Sequence, residues 1–105
     1  MTAVSFRSDA ILREYRALSD SSPGLYRCIQ AGISLIAKDP ATAERAYSVP
    51  LDREHVWLGM PVDTPGGVVA IAWRHDPRGY DAVVITDFTE PWEDLPKPRI
   101  WPRPE

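Results

Sequence analysis

GGVVAIAWRHDPRGYDAVVITDF, residues 66–88, reads as two core strands folded back on each other, with the rest of the chain arranged around them. VVAIAW (68–73) and AVVI (82–85) are runs of β-branched and small apolar residues, too short for a typical globular helix. Between them, Asp76-Pro77-Arg78-Gly79 places a carboxylate at the first turn position, proline where φ of about −65° is wanted, and glycine at the fourth. Taken as a three-residue loop with a glycine bulge, the turn sets Asp76 opposite Tyr80, His75 opposite Asp81, Arg74 opposite Ala82, Trp73 opposite Val83 and Ile71 opposite Ile85. One face then carries Val69, Ile71, Trp73, Val83 and Ile85 as a core surface. The other carries the smaller set Ala70, Ala72, Arg74, Ala82, Val84 and Thr86.

Upstream of this hairpin the periodicity is helical. Thr2 to Phe6 alternates as a short strand, and Ser8 or Asp9 then caps a helix whose apolar stripe is Ile11, Leu12, Tyr15 and Leu18. After Ser19-Asp20-Ser21-Ser22, a second helix begins with serine capping and Pro23 in its first turn, where a missing N–H does no harm. Leu25, Ile29, Ile33 and Ile36 form its buried stripe, with Cys28, Gly32 and Leu35 alongside. A glycine inside a helix costs about 1 kcal/mol against alanine, so Gly32 predicts a close approach to another helix or to the sheet. Lys38-Asp39-Pro40 ends the element, and Ala41–Tyr47 suffices for two turns of a third helix. From His55 to Val62 the period changes to two, with Val56, Leu58, Met60 and Val62 on one side of a strand and His55, Trp57 and Gly59 on the other. Pro61 marks an edge strand or a strand end, because it cannot donate to a ladder. Asp63 to Gly67 is the loop that returns the chain to the central hairpin.

These elements give an α+β class: a short N-terminal strand, two to three helices on a small, mainly antiparallel sheet, and a single domain over residues 1–90. Residues 91–105 form a proline-rich extended tail, since TEPWEDLPKPRIWPRPE (89–105) holds five of the chain's eleven prolines. Two tryptophans in that tail, Trp92 and Trp101, sit in polar surroundings and gain little by burial in the tail alone. With Arg99 and Arg103 they are candidate partner-binding residues. They either pack back onto the small-residue sheet face of Ala70, Ala72 and Ala82, or reach a partner, such as another protein or a second copy of the chain.

Composition narrows the function classes. A net charge of −3 disfavours non-specific attraction to nucleic acid, which relies on an excess of lysine and arginine. Cys28 is the single cysteine, so no intrachain disulfide and no CxxC metal pattern is possible, and a small buried hydrophobe is the expected role. His55 and His75 lie twenty positions apart without carboxylate spacing suited to zinc, so neither metal nor cofactor is expected. No phosphate loop, HExxH or nucleophile elbow occurs. The N-terminal segment lacks the apolar stretch of a signal peptide and no apolar run is long enough to span a bilayer, which leaves the cytoplasm as the expected compartment.

The succession FRSDAILREYRAL, LYRCIQAGISLIAKDP, GGVVAIAWRHD and YDAVVITDF resembles the RelE/ParE toxin superfamily over about residues 4–88. The resemblance implies a bacterial toxin-antitoxin module, growth inhibition through mRNA cleavage on the ribosome or through gyrase, and a cognate antitoxin as partner. It also implies strand-borne basic residues for the ribonuclease branch. Here Ala70 stands where a functional arginine often sits, Arg74 occupies the later basic position, and Thr86-Asp87-Phe88 replaces an expected basic or hydroxyl group. Arg74 as clamp and His75 as base are the catalytic candidates, because RNA cleavage needs a proton acceptor for the 2′-OH and a cation for the developing charge. Adjacent strand residues point to opposite faces, which opposes their convergence on one scissile bond. The binding-only gyrase branch, and a non-enzymatic accessory module working through the tail and sheet face, are the other readings. His75 paired with Asp81 across the hairpin is the structural alternative for that histidine.

Overall fold

A computed structural model describes residues 2–52, 54, 56–77, 82–88 and 91–94. Strand β1 (Ala3–Phe6) leads into helices α1 (Asp9–Ser21) and α2 (Pro23–Lys38). A short α3 (Pro40–Thr42) runs on as a wide π-type turn over Ala43–Tyr47. Strands β2 (Val49–Pro50), β3 (Leu58–Thr64), β4 (Gly67–His75) and β5 (Ala82–Asp87) follow, and then a 3-10 turn over Trp92–Asp94. The five strands make one sheet in the order β1-β5-β4-β3-β2. Only β1 and β5 are parallel, so the chain is α+β with a mainly antiparallel sheet. Among the described residues no helix is long and apolar enough to cross a membrane.

The helices start and stop where local chemistry dictates. The Ser8 hydroxyl accepts the Ile11 N–H (3.3 Å), and the Asp39 carboxylate accepts the Thr42 N–H (3.2 Å) and hydroxyl (2.7 Å). Ser22 occupies the cap position of α2, but its hydroxyl makes no capping bond; its N–H instead closes α1 on the Leu18 carbonyl. Ile29, Ile33 and Ile36 of α2 are buried against Leu58, Met60, Ile71, Trp73, Val83 and Ile85 of the sheet. Gly32 lets this contact form: a Cβ built there would sit 2.5 Å from Ile71 Cδ1 and 3.0 Å from Val62 Cγ2. The close approach predicted for Gly32 is to the sheet.

The central hairpin keeps its faces but not its expected register. Trp73 lies opposite Ile85 and His75 opposite Val83, two residues away from the pairing that a three-residue loop would give. The Asp76 N–H bonds the Ala82 carbonyl at 2.9 Å, which leaves five residues, 77–81, between them. His75 therefore does not face Asp81. Arg78 to Asp81, with the glycine of the expected turn and Tyr80, lie outside the described residues, as does His55. A slip of two residues preserves inward and outward sides, so Trp73, Ile71, Val83 and Ile85 still share the core face. At the far end, Ala72 pairs with Asp87 while Trp73 pairs with Ile85, making Thr86 the extra residue of a bulge. The bulge changes the parity of β5 and turns Phe88 into the core, 1% exposed.

Two boundaries differ from expectation. β3 begins at Leu58, and Val56 is exposed outside it because Asp52 Oδ1 holds the N–H groups of Val56 and Trp57 (both 3.0 Å) in a turn. β3 also runs on to Thr64, paired with Gly67, so Asp63 and Thr64 are strand and only Pro65-Gly66 turns. Gly67 takes φ +123°, open to glycine.

An aromatic cluster joins α1 to α2 and the sheet. Tyr15 lies with its ring centroid 5.3 Å from Phe6, 5.0 Å from Tyr26 and 5.9 Å from Phe88. Burial and the Tyr26 hydroxyl push the Tyr15 phenol from 10.0 up to about 12. An acid raised in the fold contributes stability that is intact below its unfolded value and lost as pH rises through the folded one. Stability should therefore fall between pH 10 and about 12. Denaturant midpoints measured across that range are expected to fall less steeply for Tyr15→Phe than for the wild type; parallel curves would refute the assignment.

Candidate functional site

β2 contributes only Val49 and Pro50 to the sheet, paired with Gly59 and Leu58. Beyond Gly59, β3 has no strand on its outer side among the described residues. The Leu51 N–H bonds the Trp57 carbonyl (2.9 Å), so residues 57 and 59 turn their backbone groups toward β2, and by the alternation of a strand 61 and 63 turn theirs the same way. Pro61 has no N–H to offer, as its edge position allows. What remains open is the Pro61 carbonyl with the N–H and carbonyl of Asp63.

A groove of about 800 Å³ wraps this edge. Cys28, Gly32 and Leu35 of α2 form one wall, Tyr47 of the π-type turn closes one side, and Val68 and Trp92 reach it from across β3. Leu35 and Tyr47 are each 49% exposed and Val68 40%, three large apolar side chains around one depression. A clustered apolar surface with a few polar groups, here Arg45 and Asp63, is the mark of a contact site; scattered exposed apolar residues carry no such meaning. Leu35 and Tyr47 were invisible as site residues in the sequence, where Leu35 reads as part of the buried stripe of α2. Pro61 was the available signal, since it marks β3 as an edge.

The catalytic candidates do not meet. Arg74 lies on the outer face of β4, its guanidinium 4.9 Å from the centre of the Trp57 ring and its Nε donating to the His75 carbonyl (3.3 Å). His75 lies on the helix side, edge-on to Trp73 at 5.2 Å, with Nε2 donating to Glu44 Oε1 at 2.7 Å. Both members of that pair are about half exposed, 48% and 49%, so it contributes at most about 1 kcal/mol. The two groups thus face opposite sides of the sheet, each with its own partner. Among the described residues no group of three or more His, Cys, Asp or Glu could hold a metal ion.

Of the tail residues, Trp92 belongs to the groove, while Arg99, Trp101 and Arg103 lie outside the described residues. Pro91 bridges to Val69, and the turn Trp92–Asp94 is 3-10, not extended, where it lies against β4. Ala70 and Ala72 are only 1% and 9% exposed, so the middle of the outer face is already covered and offers no open surface to a partner. Compared with family profiles, with curated proteins and with solved structures, the chain matches none.

Proposed function

We propose that this chain works by binding another protein, as a RelE/ParE-like toxin or toxin-derived member of a toxin-antitoxin module, with the groove along β3 as the contact surface. The output of such a module is growth inhibition through translation or gyrase, and the natural partner is a cognate antitoxin in the cytoplasm. The observation that carries the binding mode is the groove itself, an apolar depression beside an open strand edge, the setting in which a partner strand adds its backbone and fills pockets with alternate side chains. The order of strand, helical hairpin and antiparallel strands supports the resemblance behind it. The separation of Arg74 from His75 speaks against RNA cleavage by that pair.

The test is inducible expression in a bacterial host. Growth arrest is expected, and arrest should persist in Arg74→Ala and His75→Ala. In Leu35→Asp, a half-exposed position where a charge leaves the core intact, arrest should persist but no longer be relieved by co-expression of the neighbouring gene. Arrest that disappears with Arg74→Ala or His75→Ala would return the reading to cleavage, and a host indifferent to the wild-type chain would remove the toxin reading altogether.

A further inference from the structure

Asp63 and Val68 are paired neighbours on β3 and β4, and opposed residues of an antiparallel pair carry their side chains on the same face. That face is the outer one, because Met60 and Val62, at the alternate positions of β3, pack toward the core. Asp63 is exposed and, among the described residues, has no ion-pair partner. Val68 is a large apolar side chain left 40% exposed, and Trp92 lines the same groove from the 3-10 turn that follows Pro91. A carboxylate bordered by aliphatic and indole surface suits one kind of side chain, a cation on a long apolar stem. Arginine meets both demands better than lysine, since its planar guanidinium offers a carboxylate two parallel N–H groups and can lie flat on an indole.

We infer that Asp63, Val68 and Trp92 form a subsite for an arginine carried by an extended partner segment, which pairs antiparallel with the open part of β3. The inference rests on the groove being the contact surface and names the chemistry of the partner there. Charge selects the sign: among the described residues that line the groove, Asp63 is the one carboxylate and Arg45 the one guanidinium, so a cation settles beside Asp63 and is repelled from Arg45.

The backbone fixes where the arginine stands. The open groups of the edge are the N–H and carbonyl of Asp63 and the carbonyl of Pro61, because residues 57 and 59 already turn theirs to β2. In an antiparallel ladder the residue opposite Asp63 exchanges both bonds with it and projects its side chain over the same outer face. Its two chain neighbours turn theirs to the other side, where Gly32 and Leu35 of α2 present an apolar wall. The residue two places further on lies opposite Pro61 and donates its N–H to the Pro61 carbonyl. The segment recognised therefore reads apolar, arginine, apolar, then any residue except proline. A slip of one residue presses the arginine against α2, at a desolvation cost without a partner.

Selection of random displayed decapeptides on the full-length chain, followed by fluorescence anisotropy of a recovered peptide, tests this. Recovered sequences are expected to hold arginine between two apolar residues. Alanine in place of that arginine should weaken binding about tenfold, and lysine by less. Asp63→Asn should weaken it about fivefold, the size of an exposed ion pair, with the melting temperature unchanged. Asp63→Arg should redirect the selection to aspartate or glutamate at the same position. Peptides that lose binding to Leu35→Asp, and so occupy the groove, yet show no preference for arginine overturn the subsite and leave the groove as a contact surface. Peptides indifferent to Leu35→Asp, or a selection that recovers no binder, overturn both.

Discussion

Trp73→Ala is expected to cost about 3–5 kcal/mol, a large share of the roughly 5–15 kcal/mol that holds a domain of this size together. Trp73 is fully buried on β4, between β3 and β5, where it pairs with Leu58 and Ile85, both also buried. Its polar end is also accounted for: the indole N–H donates to the Ser48 hydroxyl at 3.0 Å, and Ser48 is itself buried where the π-type turn meets β2. Chemical denaturation of three further variants separates packing from this bond. Ser48→Ala leaves the indole N–H without an acceptor and should cost about 1–3 kcal/mol. Trp73→Phe strands the hydroxyl and should add a smaller packing loss. The double variant removes both partners and should cost less than the two single changes summed, whereas simple additivity would mean that the bond contributes nothing.

Alanine at two glycines of the same helix should act with opposite signs. Gly32→Ala puts a methyl group 2.5 Å from the Ile71 Cδ1 atom and 3.2 Å from Met60 Cε, so the fully buried Ile71 side chain must shift within the core to admit it. Overpacking of this kind costs about 1–3 kcal/mol and outweighs the helix gain of about 1 kcal/mol. Gly24, in the first turn of α2, has only Pro65 Cγ nearby at 3.8 Å, an ordinary contact. Gly24→Ala should therefore stabilise by about 0.4–1 kcal/mol through the unfolded chain. In thermal melts Gly32→Ala should fall below the wild type and Gly24→Ala rise above it. A stabilising Gly32→Ala would show that α2 does not sit on the sheet at the separation described here.

The sequence determined the elements and their faces. Serine and aspartate before apolar stripes, proline at the start of α2, and the change of period from helical to alternating after Pro50 are local signals that survive whatever packs on them. Pro61 likewise pointed to an edge strand or a strand end, because a residue without an N–H cannot donate to a ladder; β3 carries β2 only at Leu58 and Gly59, and Pro61 falls beyond that pairing.

What only the tertiary structure decided is how these pieces meet. Hydrophobic alternation repeats every two residues, so it cannot distinguish Trp73 opposite Val83 from Trp73 opposite Ile85; both keep the same faces inward. For the same reason the bulge at Thr86, and with it the burial of Phe88, leaves no trace in the pattern. The candidate site depends on an absence that no local rule encodes. β2 stops after two residues, and the groove between α2 and the rest of β3 exists because nothing among the described residues pairs there. Arg74 and His75 show the limit from the other direction: their adjacency in sequence suggested a shared chemistry, and the pleat of β4 sends them to Trp57 and to Glu44 on opposite sides of the sheet.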